Sequence, residues 1–221
     1  MGPSFLIAHG VPDDALHDRA FALAGKRAPE VAYFGAANGD QERWFRRIAD
    51  VVGPKHGARM NFARTINVED ASEARAAVER ADLIYLAGGD VSLVARRLRE
   101  LGLDALIRAR HEAGAMVLGV SAGAIALARY WIEFPDDETE KPWLLPCVGA
   151  MPIAVDCHDE DSDWEELRAL LALWGEAHPA ERVEAFGIPA GGALELDGSG
   201  RATHHGPAPK RLVLDGGKIL E

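Results

Sequence analysis

Short apolar runs alternate with stretches of helical period through the first half of the chain. Phe5–Ala8, Val31–Phe34, Met60–Ala63, Leu83–Leu86 and Met116–Gly119 are each about one strand long and rich in branched or aromatic residues, which predicts β-strands. Between them, Asp14–Ala24, Gln41–Val52, Ala71–Ala81, Val91–Leu101 and Asp104–Glu112 repeat apolar residues three and four apart with charges between, the pattern of half-buried helices. Parallel strands need crossover connections, and uninterrupted apolar runs are buried on both faces. The pattern therefore predicts an α/β fold: a doubly wound, mostly parallel sheet with helices on both faces.

The pattern changes after Tyr130. An acidic, proline-containing stretch leads to a short strand at Ile153–Val155 and a helix at Asp163–Leu173. Short strands at Ala193–Leu196 and Leu212–Leu214 follow among glycines and are expected to close the sheet as antiparallel additions. No repeat or linker tract interrupts the chain, and 221 residues, 48% of them hydrophobic, are enough for one core. A single domain spanning residues 1–221 is expected.

No run approaches the ~18–20 apolar residues of a membrane-spanning helix. Met1–Ile7 lacks the basic flank of a secretory signal, so a cytoplasmic protein with no membrane partner is expected. Cys147 and Cys157 fit neither a disulfide framework nor a zinc pattern and read as buried thiols. The net charge of −11 argues against nucleic acid as a partner. Its location is informative: between Glu133 and Glu166 stand twelve Asp or Glu and one Lys, while the rest of the chain is balanced at 23 acids and 23 bases.

Candidate chemistry centres on Gly119-Val120-Ser121-Ala122-Gly123, which follows a strand and opens an alanine-rich helical stretch, Ala122–Tyr130. That is the context of a nucleophile elbow, in which a sharp turn holds the serine in a strained conformation and small neighbours prevent collision with adjacent strands. The Ala122 amide, at the positive end of the helix, is placed to donate to a developing oxyanion. Leu86-Ala87-Gly88-Gly89-Asp90 ends another strand, where an open parallel sheet places its ligand crevice. Gly89 is the candidate for a second oxyanion amide and Asp90 for a substrate ligand. A serine nucleophile needs a base. His17, His56, His111 and His178 fall on predicted helices among charges and read as solvated surface residues, and His9 ends the first strand. His158, which ends the run Ile153-Ala154-Val155-Asp156-Cys157, is the candidate base.

Ala87-Gly88-Gly89-Asp90 and Gly119-Val120-Ser121-Ala122-Gly123, together with Val155-Asp156-Cys157-His158, resemble the dipeptidase E and cyanophycinase family of serine peptidases, from the first strand to about Leu196. The resemblance implies a class I glutamine amidotransferase-like, flavodoxin-like fold. It also implies hydrolysis of small peptides through an acyl-enzyme on Ser121, with His158 as base. No cofactor is expected, nor a metal, since a calcium loop at Asp159, Asp161 and Asp163 would need Gly and Glu where Trp164 and Leu170 stand, and a monomer or homodimer is expected. Two departures stand out. Where dipeptidase E relatives carry a carboxylate in a Gly-Leu-Pro-Glu-Gly loop, this chain has Gly187-Ile188-Pro189-Ala190-Gly191. Asp136 matches a stretch in which relatives have another proposed triad acid and is the candidate here, with Asp156, Glu133 and Glu195 as other carboxylates. Beyond the histidine, where relatives cutting after aspartate carry basic residues, the chain reads Asp159-Glu160-Asp161-Ser162-Asp163. Asp159 and Glu160 are therefore candidate substrate ligands favouring a cationic group over aspartate, while Ser162 and Glu165 read as a helix capping box.

Two other readings stay open. An α/β-hydrolase esterase would use His9-Gly10 near the oxyanion site and His204 or His205 as base. A ligand-binding homologue that lost catalysis with its acid would keep the fold alone.

Overall fold

In the computed structural model, which describes residues 1–9, 15–135, 137 and 139–221, the first half alternates strand and helix along the hydrophobic pattern. Its elements are β1 (Ser4–Ile7), α1 (Ala15–Leu23), β2 (Glu30–Phe34), α2 (Glu42–His56), β3 (Arg59–Phe62), α3 (Ser72–Arg80), β4 (Leu83–Leu86), α4 (Val91–Glu100), α5 (Leu103–Glu112), β5 (Met116–Val120) and α6 (Ala122–Leu127). The second half contains β6 (Tyr130–Glu133), β7 (Trp143–Pro146), β8 (Ile153–Cys157), α7 (Glu165–Ala177), β9 (Val183–Ile188), β10 (Ala193–Leu196), β11 (Ala202–His205), β12 (Lys210–Asp215) and β13 (Lys218–Leu220).

The main sheet has the order β11-β10-β1-β5-β4-β2-β3. Strands β1, β5, β4, β2 and β3 are parallel, and β10 and β11 extend the β1 edge antiparallel. Alternate residues go to opposite faces, and both faces are covered. Phe5, Ile7, Val31, Tyr33, Leu83 and Tyr85 join the core beneath α1 and α2. Leu6, Ala32, Phe34, Ile84, Leu86 and Val117 join the core shared with α3 to α6. Continuous apolar runs thus belong to strands buried on two sides.

The expectation that all later strands close this sheet holds for β10 but not for β8 or β12. These belong to a second sheet of order β13-β12-β9-β8, and a hairpin pairs β6 with β7. Strand β8 is buried at all five positions and runs parallel to β9, with α7 as the crossover. A strand this apolar needs cover on both faces, and α6 and α7 pack against it. Helix α6 thereby lies between the main sheet, through β4 and β5, and β8. Both cysteines are free and buried.

Candidate active site

The turn from β5 into α6 puts Ser121 at φ 51° and ψ −119°, a region L-residues rarely occupy. Its amide donates to the Ile7 carbonyl at 2.8 Å, which pins the turn to β1. The flanking glycines are sterically required: a Cβ on Gly123 would stand 2.1 Å from the Leu86 carbonyl oxygen, and one on Gly119 2.5 Å from Ala124 Cα. Ala122 opens α6, where an amide has no acceptor within its own helix.

The β4–α4 turn lies beside this elbow. Ala87 and Asp90 donate their amides to Phe34 and Ala37, and among the described residues the Gly88 and Gly89 amides between them find no backbone acceptor. Gly89 adopts φ 145°, and a Cβ there would meet the Ala37 carbonyl oxygen at 2.1 Å. Gly88, not singled out from sequence, lies closest to the serine: its Cβ position is 3.3 Å from Ser121 Cβ and 3.9 Å from Oγ. Asp90 turns away, its carboxylate capping α4 by accepting from the Leu93 amide at 2.8 Å.

His158 arrives from the second sheet. Its amide donates to the Ile188 carbonyl at 2.9 Å, which extends the β8–β9 pairing by one residue. At φ 50° the chain then turns and presents an exposed imidazole, with Nε2 2.9 Å from Ser121 Oγ. The sequence-predicted serine and histidine are therefore in hydrogen-bond contact. His9, at the end of β1, meets the His158 ring edge-on at 6.4 Å between centroids.

Among the described residues no carboxylate accepts a hydrogen bond from the other ring nitrogen of His158, and Asp136 lies outside them. Glu133 faces Arg96 at 3.2 Å, and Glu195 is held by Arg19 and His205. Glu160 accepts from the Ala190 amide at 3.1 Å, in the loop whose carboxylate is missing. Asp159 is half-buried, with Oδ2 enclosed and without a hydrogen-bond partner among the described residues. Asp156 is 3% exposed; Oδ1 accepts from the Cys157 amide at 2.7 Å and Oδ2 has no partner among the described residues. Burial, reinforced by the nearby Asp159 and Glu166 charges, pushes its pKa up to about 7.

Three expectations are corrected. His17 and His111 are buried: α1 turns His17 onto the sheet, 3.1 Å from the Tyr85 hydroxyl, and His111 bonds the Ala115 carbonyl and Ser4. Polar partners inside the core satisfy both rings, which charged sequence neighbours do not reveal. The capping box is only half made. Ser162 Oγ accepts from the Glu165 amide at 3.3 Å, but α7 begins after Trp164 at φ 63°, whose buried ring covers Gly187. The esterase reading falls, because β1 runs parallel to β5 rather than opening the sheet antiparallel, and His205 is spent on Glu195 at 2.8 Å.

Ser121 opens onto a cleft of about 460 Å³. Tyr33, Tyr85, Trp44 and Ile48 form its wall, while His9 and Arg47 supply titratable groups. Among the described residues, none of the twelve that line it is acidic, so Asp90, Asp159 and Glu160 are not among them.

The strained serine on its elbow is thus met by a histidine from a second sheet. Peptidase family S51 matches residues 10–200. The chain belongs to this family. As a member of S51 it is a serine-type peptidase, a hydrolase. It is 22% identical over 194 residues to peptidase E of Salmonella newport (strain SL254), covering 84% of this chain and 79% of that one. It is 28% identical over 129 residues to the uncharacterised peptidase YgaJ of Bacillus subtilis (strain 168), covering 55% and 51%. Among solved structures, a peptidase from an acI-B1 Actinobacterium superposes with a TM-score of 0.75 at 21% identity, covering 98% of this chain and 91% of that one. A protein from Listeria monocytogenes EGD-e does so with a TM-score of 0.66 at 15% identity, covering 94% and 100%. At these identities the structures speak for the S51 fold alone.

Proposed function

We propose that this S51 peptidase hydrolyses small peptides through an acyl-enzyme on Ser121. The observation that carries the reading is the 2.9 Å contact between Ser121 Oγ and His158 Nε2, made while the serine is held at φ 51°. A neutral His158 takes the hydroxyl proton as Oγ attacks the scissile carbonyl, then gives it to the departing amine; water repeats the sequence to release the acid. The amides of Ala122 and of Gly88 or Gly89 hold the oxyanion. Asp136 is the proposed acid behind His158; without such a group a Ser-His dyad turns over more slowly, because nothing fixes the tautomer or balances the imidazolium.

Fluorophosphonate labelling followed by peptide mapping tests the mechanism. Modification at Ser121 that disappears in His158→Ala supports it. An unlabelled protein would instead favour a homologue that binds peptides without cleaving them, a reading supported by the lack, among the described residues, of a carboxylate on the second nitrogen of His158.

A further inference from the structure

The cleft beside Ser121 has a composition at odds with the acidic run that follows His158. Its wall is aromatic and aliphatic, and among the described residues its lining holds no carboxylate and one permanent charge, Arg47. Arg47 and Trp44 stand three residues apart on α2, on one helical face, with the Arg47 guanidinium carbon 5.8 Å from the indole centre. Of the neighbouring guanidiniums, Arg46 and Arg64 both bind Glu42, and Arg43 stands over the same indole at 5.2 Å but does not line the cleft. Arg47 has no acidic partner among the described residues. Trp44 remains 39% exposed, and the Tyr85 hydroxyl is backed by buried His17 at 3.1 Å.

We infer that this cleft binds the leaving residue of a short peptide: a C-terminal amino acid with a bulky apolar side chain, its terminal carboxylate paired with Arg47. The inference rests on Ser121 as the nucleophile, which places the cleft beside the scissile bond. Aromatic walls gain from an apolar side chain and lose from a desolvated charge. A free guanidinium at the end of such a wall offers a carboxylate paired, planar hydrogen bonds. A terminal carboxylate one residue past the scissile bond satisfies both at once, whereas an aspartate side chain would put its charge against the rings. The cleft volume of about 460 Å³ falls within the range of small-ligand sites, roughly 300–1,000 Å³, and suits a dipeptide.

Calorimetric titration of the Ser121→Ala protein, which binds without turnover, separates this inference from the mechanism. Ala-Phe should bind about tenfold tighter than Ala-Phe amide and than Ala-Ala. In a protein also carrying Arg47→Ala, the preference for acid over amide should vanish while that for Phe over Ala persists. Equal binding of acid and amide, no dipeptide binding at millimolar concentration, or tighter binding of Asp-Ala than of Ala-Phe would overturn the inference. Fluorophosphonate labelling of the wild type reads the nucleophile separately: labelled Ser121 with failed titrations removes only the cleft assignment.

Discussion

The nucleophile and its base sit in regions built on opposite principles. Ser121 is specified locally: a parallel strand, a turn with glycines on both sides and the helix after it force the serine outward, and the contacts that require those glycines come from the end of β4, which neighbours β5, and from α6 itself. His158 is specified at long range. Its position depends on β8 pairing with β9 and on Trp164 lying over Gly187. A strained nucleophile can thus be encoded in five residues, while its partner requires a second sheet to be assembled correctly.

The comparison can be broken most severely at the reacting atoms. Ser121→Ala and His158→Ala should each lower peptidase kcat by about 10⁴-fold or more, with circular dichroism unchanged. Substitutions of closely packed glycines then distinguish the two regions. Gly123→Ala sets a Cβ against the Leu86 carbonyl and should cost about 3 kcal/mol or more of stability in urea denaturation. Gly187→Ala pushes instead on the Trp164 ring and should cost about 2 kcal/mol. It should also reduce His158-dependent labelling of Ser121, whereas loss of stability with full labelling would show that the second sheet does not set the base.

Asp156 sharpens the contrast through pH. The folded protein holds this proton up to about pH 7, and the unfolded chain releases it near 3.8. Over that window the folded state binds more protons, so stability is lost as pH rises and the loss is complete above about pH 7. Asp156→Asn can still accept from the Cys157 amide and removes the ionisation. Its melting temperature should exceed that of the wild type at about pH 8, by an amount worth a few kcal/mol, and the gap should close towards about pH 4. The smallest effect belongs to Asp90→Ala, which deletes the α4 cap and should cost about 1 kcal/mol with little change in kcat.

The sequence is most readable where periodicity and burial coincide. All five parallel strands, α1 to α5 and the elbow follow from it to within a few residues. His158 was also legible, as the residue ending an apolar run. Strand β9 was not, because Glu184 and Gly187 interrupt its pattern, nor were β11 and β13, whose side chains are mostly exposed. The acidic segment misled: Asp159 and Glu160 read as cleft ligands, yet one is half-buried and the other is tied to the Ala190 amide. The cleft wall carried no signal of its own. Tyr33 and Tyr85 look like core strand residues, and nothing local connects Trp44 and Arg47 on α2 with a serine 77 residues after Trp44. The rule that ligands gather at the carboxyl ends of parallel strands, which singled out Leu86–Asp90, points equally to His9 at the end of β1.

Helix α6 separates the sheet that carries the serine from the one that carries the histidine. A slight sliding of one layer over the other lengthens the Oγ–Nε2 contact while every β-ladder stays intact. Mild denaturant should therefore lower peptidase activity at concentrations where far-UV circular dichroism is unchanged.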